Sequence, residues 1–179
     1  VHAITGNWAQ VSVNGLDGYI NKTYLQLLNQ SGAAVAGRII VLDPGHGGKD
    51  PGAVKTGAME KNIALTVANL VKKKLEADGA TVKMTRTGDT YPSLTERVQF
   101  AKNALGEVFV SIHANAATSA SAKGAETYYS VTSNDNEKED VVLATAINKE
   151  IVANANMNNR GVKRADYVVI KGLVMPAVL

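Results

Sequence analysis

The continuous apolar run Ile39-Ile-Val-Leu42 constrains this chain more than any other feature, because it suits a strand buried on both faces of a sheet. Ile63, Val67, Leu70, Val71 and Leu75 follow at helical spacing, and Gly79 is placed to close that helix. Residues 81–85 read as a second strand. Ser93 and Glu96 have capping-box spacing and open a helix expected to carry Leu94, Val98, Ala101 and Leu105 on one face, with Gly106 at its end. Val108-Phe-Val-Ser-Ile112 is a third strand. Strand, helix, strand, helix, strand makes two βαβ units, so the fold class is α/β, with a largely parallel twisted sheet and helices on both faces. Further on, Tyr128-Tyr129 reads as a strand, Leu143, Ile147 and Ile151 as a helix, and Val168-Val-Ile170 and Pro176-Ala-Val-Leu179 as two short closing strands.

The first 28 residues have another texture. Trp8, Val11 and Val13 stand near Asn14-Gly15, a two-residue hairpin signal since both positions tolerate positive φ, and Gly18-Tyr-Ile20 and then Tyr24-Leu25 follow as strand-like sequence. About 25 residues cannot bury a core alone. The pattern NWAQVSVNGLDGYINKTYL resembles the last strands of a bacterial SH3-like domain, a family that often binds cell-wall peptide. A β-extension packed on the main domain is the alternative reading. Residues 29–37, with Gln30-Ser-Gly-Ala-Ala34, read as a linker. The expected organisation is therefore 1–28 as the end of an SH3-like module, 29–37 as linker, and 38–179 as the main domain. The chain opens at Val1 within strand-like sequence, which suggests a fragment of something longer.

Bulk composition narrows the function classes. Of 179 residues, 45% are hydrophobic and 20% charged, which suits a globular domain rather than a disordered chain. No run of about 18 apolar residues offers a membrane span, and no signal peptide is visible. The net charge is +3, with the basic residues dispersed apart from Lys72-Lys-Lys74. That run reads as a solvated helix face, open to weak attraction by anionic polymers; no nucleic-acid site is indicated. The absence of cysteine restricts any metal site to His and carboxylate ligands.

The chain contains three histidines. His46 lies in Asp43-Pro-Gly-His-Gly-Gly48, directly after the first buried strand, and His113 ends the third. Open parallel sheets present ligands beyond the carboxyl ends of their strands, so both imidazoles belong at one edge. Glu60 begins the first helix, and the loop from His46 is just long enough to return its carboxylate to that edge. Two imidazoles and a carboxylate, with a fourth position open, form a hydrolytic zinc site. His2 has no such context and is read as terminal and inert.

Ile40-Val-Leu-Asp-Pro-Gly-His-Gly-Gly-Lys-Asp-Pro-Gly-Ala53, Glu60-Lys-Asn-Ile-Ala64, Thr85-Arg-Thr87 with Leu94-Thr-Glu-Arg97, and Phe109-Val-Ser-Ile-His-Ala-Asn-Ala116 stand in order along the chain. Together they resemble the zinc-dependent N-acetylmuramoyl-L-alanine amidases of the autolysin and spore-lysis type, over residues 38–179. The resemblance implies a zinc-exopeptidase-like fold and Zn²⁺ held by His46, Glu60 and His113. It implies cleavage of the amide joining N-acetylmuramic acid to L-alanine in bacterial peptidoglycan, by a secreted, cell-wall-located and monomeric enzyme. Anionic wall polymers would then be the partners of the basic residues. Arg97 and Asn115 match family positions that support the site by hydrogen bonding. In that family the closing strand runs on into a glutamate that acts as acid/base. This chain stops at Leu179, so the catalytic domain is expected to be truncated there, with Glu126 the conceivable substitute inside it. Two rival functions are a zinc peptidase acting on wall peptides and a wall-binding module that retains the metal site with little catalysis.

Overall fold

The computed structural model describes residues 3–6, 8–21, 34–114, 123–130 and 137–179. His2, Tyr24-Leu25, residues 29–33 of the expected linker and Asn115 lie outside them.

Three N-terminal strands, β1 (Ala3–Thr5), β2 (Trp8–Val13) and β3 (Leu16–Asn21), form an antiparallel sheet of their own. The β2–β3 turn is made by Asn14 and Gly15, with φ of 52° and 80°, the doubly left-handed turn that matches strand twist. Residues 34–37 then form a turn that docks on the main domain: Gly37 donates to the Gly79 carbonyl at 2.9 Å, and Val35 packs against the second core cluster described below.

β4 (Ile39–Pro44) lies at the heart of the main sheet. It pairs in parallel with β7 (Thr81–Met84) on one side and β8 (Val108–Ile112) on the other, and β11 (Ala177–Val178) pairs in parallel with β8. Beyond this lies a parallel pair, β9 (Ala125–Tyr129) with β10 (Asn159–Arg164). Tyr128 and Leu179 exchange both backbone hydrogen bonds, at 2.7 and 3.0 Å, which is an antiparallel pairing and joins β9 to the β11 edge. A small hairpin, β5 (Val54–Lys55) and β6 (Ala58–Met59), fills the loop between β4 and the first helix.

The apolar run of β4 serves two cores. Val41 packs with Ala101, Phe109, Val169, Ile170, Leu173, Met175 and Ala177, whereas Ile40 and Leu42 pack with Ala68, Ala80, Val82 and Met84. Burying a side chain of this size contributes roughly 1.5–3 kcal/mol, so a strand with both faces covered is a strong anchor. Helices α1 (Glu60–Ala77) and α2 (Leu94–Asn103) cover these faces, and α3 (Glu137–Ala155) packs on β9 and β10. The expected α/β class, with a mostly parallel sheet and helices on both faces, is what the chain adopts.

Three sequence expectations change. In α1 the buried positions are Glu60, Ala64 and Ala68, supported by Leu65, Val71 and Leu75, while Ile63, Val67 and Leu70 are exposed. Small alanines bring the helix close to the sheet, and Glu60 faces inward, which sets the phase at 60, 64, 68, 71 and 75. In α2 the buried residues are Arg97 and Ala101, with Val98 and Ala104 packed beside them; Leu94 and Leu105 are exposed. Val168-Val-Ile170 is not a strand but the short helix α4 (Val168–Lys171). Ile170 and Lys171 both donate to the Tyr167 carbonyl, and the burial of Val169 and Ile170 in the first core overrides the strand preference of this β-branched run, while Val168 is exposed.

The local stop and start signals behave as read. Gly79 follows α1 with φ 87°, and the Ser93–Glu96 capping box is formed in both directions.

Candidate metal centre

The loop leaving β4 has to turn back sharply, and the backbone shows it. His46 has φ 57°, a left-handed conformation that non-glycine residues rarely adopt. Two arginines, each 3% exposed, hold it there. Arg86 donates to the carbonyls of Pro44 (2.9 Å), Gly45 (2.7 Å), Lys61 (2.8 Å) and Gly88 (3.0 Å). Arg97 donates to the carbonyls of Pro44 (2.8 Å), His46 (2.7 Å) and Pro92 (3.0 Å), and to the carboxylate of Asp43 (2.7 Å). Three consecutive carbonyls, 44 to 46, are thus drawn to two guanidinium forks. Asp43, 1% exposed, also accepts from Thr85 and Ser111, tying β4 to the end of β7 and to β8.

Glu60 reaches the same edge from the start of α1. No side chain caps this helix; its first two amides donate to the carbonyls of Ala53 and Pro51 instead. Glu60 returns the contact by accepting from the Ala53 amide (3.0 Å) and from the Ala114 amide (2.9 Å). Burial pushes its pKa up, but those two amides and the nearby His46 prevail and hold the carboxyl below the usual glutamate value. His113, at the end of β8, is also lowered, but here burial is the cause, with Glu60 opposing. A buried carboxylate and a neutral imidazole are the protonation states that metal ligands require.

The ligand atoms converge. Nε2 of His46 lies 3.2 Å from Oε1 of Glu60 and 3.2 Å from Nδ1 of His113, and Nδ1 of His113 lies 3.0 Å from the same Glu60 oxygen. A tetrahedral ion with ligands at about 2.0–2.1 Å separates them by roughly 3.3 Å, so the triangle is close to that of a zinc site. The donor set, two imidazole nitrogens and one carboxylate oxygen without thiolate, also suits zinc. Gly45 permits the approach: a Cβ there would stand 2.3 Å from Cε1 of His113. Gly52 does the same for His46, whose ring would be 2.6 Å from a Cβ at 52.

These groups line a cleft of about 430 Å³. Tyr91 and Leu94 come to it from the start of α2, Tyr167 and Val168 from the start of α4, and Leu179 from the end of β11. Three ligand atoms with one side toward a cleft leave a coordination position for water or substrate.

The Amidase_3 family profile, described as N-acetylmuramoyl-L-alanine amidase, matches residues 40–179. The chain belongs to this amidase family. The N-acetylmuramoyl-L-alanine amidase LytC of Bacillus subtilis (strain 168) is 44% identical over 155 residues, covering 86% of this chain and 31% of LytC. The chain therefore spans under a third of that relative's length. The catalytic domain of CwlV, an N-acetylmuramoyl-L-alanine amidase from Bacillus (Paenibacillus) polymyxa var. colistinus, superposes with a TM-score of 0.72 at 36% identity, covering 79% of this chain and 78% of that one. An N-acetylmuramoyl-L-alanine amidase from Clostridium difficile 630 gives 0.73 at 33% identity, covering 79% and 77%.

Within this amidase fold the residues singled out from sequence separate clearly. His46, Glu60 and His113 meet, and they are the one group of potential metal ligands among the described residues. Arg97 sits beneath the His46 loop. Asn115 lies outside the described residues. Glu126 does not line the cleft; it accepts from Arg160 (3.0 Å) and Lys163 (2.5 Å). The Lys163 hydrogen bond, opposed by burial and aided by Arg160, pulls its carboxyl down to about 2. A carboxylate held so firmly ionised is a poor carrier of protons at neutral pH.

Two residues of the site stand inside the quoted motifs without a role read from the sequence. Arg86 stands next to a strand end, where arginine is ordinarily a surface residue. Asp50 lies four residues after His46 and accepts from its Nδ1 at 2.8 Å. The hydrogen bond from His46 lowers the Asp50 carboxyl, with burial acting against it. The spacing of four in a Gly-rich loop has no helical meaning, so only the folded turn reveals that contact.

Proposed function

We propose that this chain is a zinc-dependent amidase that hydrolyses the bond between the lactyl group of N-acetylmuramic acid and L-alanine in bacterial peptidoglycan. The observation that carries the reading is the triangle of His46 Nε2, Glu60 Oε1 and His113 Nδ1, open to a cleft, in a member of the N-acetylmuramoyl-L-alanine amidase family. A zinc ion held there supplies Lewis acidity and lowers the pKa of coordinated water towards about 7.

The chain's own residues do the rest. Glu60 holds its carboxylate on two backbone amides, so it offers an ionised ligand without a protonation cost near neutral pH. Arg86 and Arg97 keep the His46 backbone in its left-handed turn. Tyr91, Leu94, Tyr167 and Val168 give the cleft exposed, largely apolar walls against which the substrate can rest. The leaving amine of L-alanine needs a proton, and Glu60 cannot supply it while ligating metal. We propose that a glutamate placed after Leu179, which itself lines the cleft, would serve that step.

The remaining parts of the reading follow from this one. The N-terminal sheet is proposed as the end of an SH3-like module, supported by three strands that pair with one another. The protein is proposed to act as a secreted monomer at the bacterial cell wall, with anionic wall polymers as secondary partners of its basic surface.

The test is product analysis on purified peptidoglycan, paired with metal analysis. The expected result is about one zinc per chain and released stem peptides with L-alanine at their amino terminus, the glycan remaining intact. Cleavage within the stem peptide would favour a zinc peptidase instead. Adsorption to the wall without cleavage, even in a chain extended by the glutamate, would favour a binding module.

A further inference from the structure

His46 is held from two sides. Its Nε2 faces Glu60 and His113, and its Nδ1 meets Oδ2 of Asp50 at 2.8 Å. The Asp50 side chain is 39% exposed and its other oxygen accepts from the Gly52 amide at 3.0 Å. Asp50 and Gly47 also exchange both backbone hydrogen bonds, at 2.9 and 3.0 Å, which closes the loop on itself. The carboxylate is therefore fixed in place by its own turn, independently of the ligand trio.

An ionised carboxylate accepts hydrogen bonds and cannot donate them. Facing Nδ1, it selects the tautomer with the proton on Nδ1 and leaves the lone pair on Nε2, and the nitrogen that binds metal is set by the bond the other one makes. We infer that Asp50 is a positioning residue for the metal centre: its carboxylate holds His46 in the Nδ1–H tautomer, so that Nε2 is presented to the ion as a ready ligand. This inference rests on the zinc reading above and assigns to this chain a residue outside the trio on which metal affinity depends.

The alternative is that Asp50 merely staples the turn through Gly52. Asp50→Asn separates the two. If the amide oxygen keeps the Gly52 hydrogen bond, its NH₂ group faces Nδ1 as a donor. That reverses the preference, moves the proton to Nε2 and closes the nitrogen that faces the ion. A staple would survive the change; a tautomer selector would not.

The experiment uses the full 179-residue chain and Zn²⁺ alone. Zinc affinity is measured by competition with a chromophoric chelator for wild type, Asp50→Asn, Asp50→Ala and, as a remote carboxylate control, Glu126→Gln. Histidine ¹⁵N NMR on the zinc-free proteins reports the His46 tautomer. Loss of an outer partner of a ligating histidine typically costs about 10- to 100-fold in affinity. That loss is expected in both Asp50 variants, with the Nδ1–H signature of His46 reduced in Asp50→Ala and replaced by Nε2–H in Asp50→Asn. A cooperatively melting Asp50→Asn that binds zinc as tightly as wild type overturns the inference. So does weakened binding with an unchanged His46 tautomer, which would make Asp50 a staple. A wild-type chain that takes up no zinc refutes the metal centre itself, while the tautomer comparison still decides whether Asp50 controls His46.

Discussion

Asp43 and Arg97 form an ion pair at 2.7 Å, 1% and 3% exposed at their side chains, directly beneath the loop that carries His46. Neither side chain reaches the ligand atoms of the trio, yet the pair joins β4 to α2 and, through the Arg97 hydrogen bond to the His46 carbonyl, to the metal-ligand loop. Removing one partner of such a pair is costly because the other charge stays buried. Asp43→Ala is expected to destabilise the protein by about 3–5 kcal/mol. Urea unfolding of the zinc-free chain measures it, and a loss under 1 kcal/mol would show that the pair is solvated.

Gly45 tests the packing of His113. A Cβ at 45 meets the imidazole at 2.3 Å, so Gly45→Ala has to displace a ligand. Zinc affinity is expected to fall by about tenfold or more, as for other changes that misplace a ligating histidine. Gly88→Ala, where a Cβ meets nothing within 4 Å, is the matched control and should bind zinc like wild type.

Glu126 separates a structural carboxylate from a catalytic one. Its folded pKa, about 2, lies below the ordinary value of 4.5. The sign follows: its contribution to stability is complete above about pH 4.5 and is lost as pH falls through about 2. Glu126→Gln should therefore lower stability at pH 7 by about 1–2 kcal/mol, with the difference from wild type narrowing in acid. Zinc binding and hydrolysis by the folded variant should be unchanged. A loss of turnover at full stability would return Glu126 to the list of proton carriers.

The proton-shuttle assignment has its own comparison. Two chains extended past Leu179, one by a glutamate and one by a glutamine, share the strand and differ in the base. The glutamate chain is expected to be faster by about 10²- to 10⁴-fold, the usual contribution of a general acid–base group. Equal rates would place the shuttle elsewhere in the cleft.

Removal of residues 1–30 tests the division of the chain. The three N-terminal strands pair with one another, and the docking contacts of the main domain begin at Val35 and Gly37. The shortened chain is expected to melt cooperatively and bind zinc with unchanged affinity, while adsorbing less to purified walls. Aggregation of the shortened chain would show that the N-terminal sheet belongs to the core.

Much of this architecture was already legible in the sequence because its signals act over a few residues. The apolar run of β4, the left-handed Asn14-Gly15 and Gly79, and the Ser93–Glu96 box each depend on neighbours within a turn or a strand. Parallel topology then brings positions 46, 60 and 113 to one edge, since strand ends and helix starts in βαβ units share a side. The phase of α1 was not legible: Ile63, Val67 and Leu70 outrank Ala64 and Ala68 in hydrophobicity, and only the anchoring of Glu60 turns the alanines inward. Nor was α4, where burial of Val169 and Ile170 against β4 and β8 outweighs the strand preference of a β-branched run.

The sequence by itself thus determined the order of elements, the sheet edge that holds the chemistry and the three residues that could ligate a metal there. Tertiary structure alone decided how those residues are presented. It put three loop carbonyls on two buried arginines, set His46 to face the trio with Nε2 and Asp50 with Nδ1, and tied Glu126 to Arg160 and Lys163 outside the cleft. The physical reason is range. Propensity and periodicity are read from adjacent residues, whereas a hydrogen bond such as that from Arg97 to the His46 carbonyl, 51 positions away, exists only after the chain has closed around it.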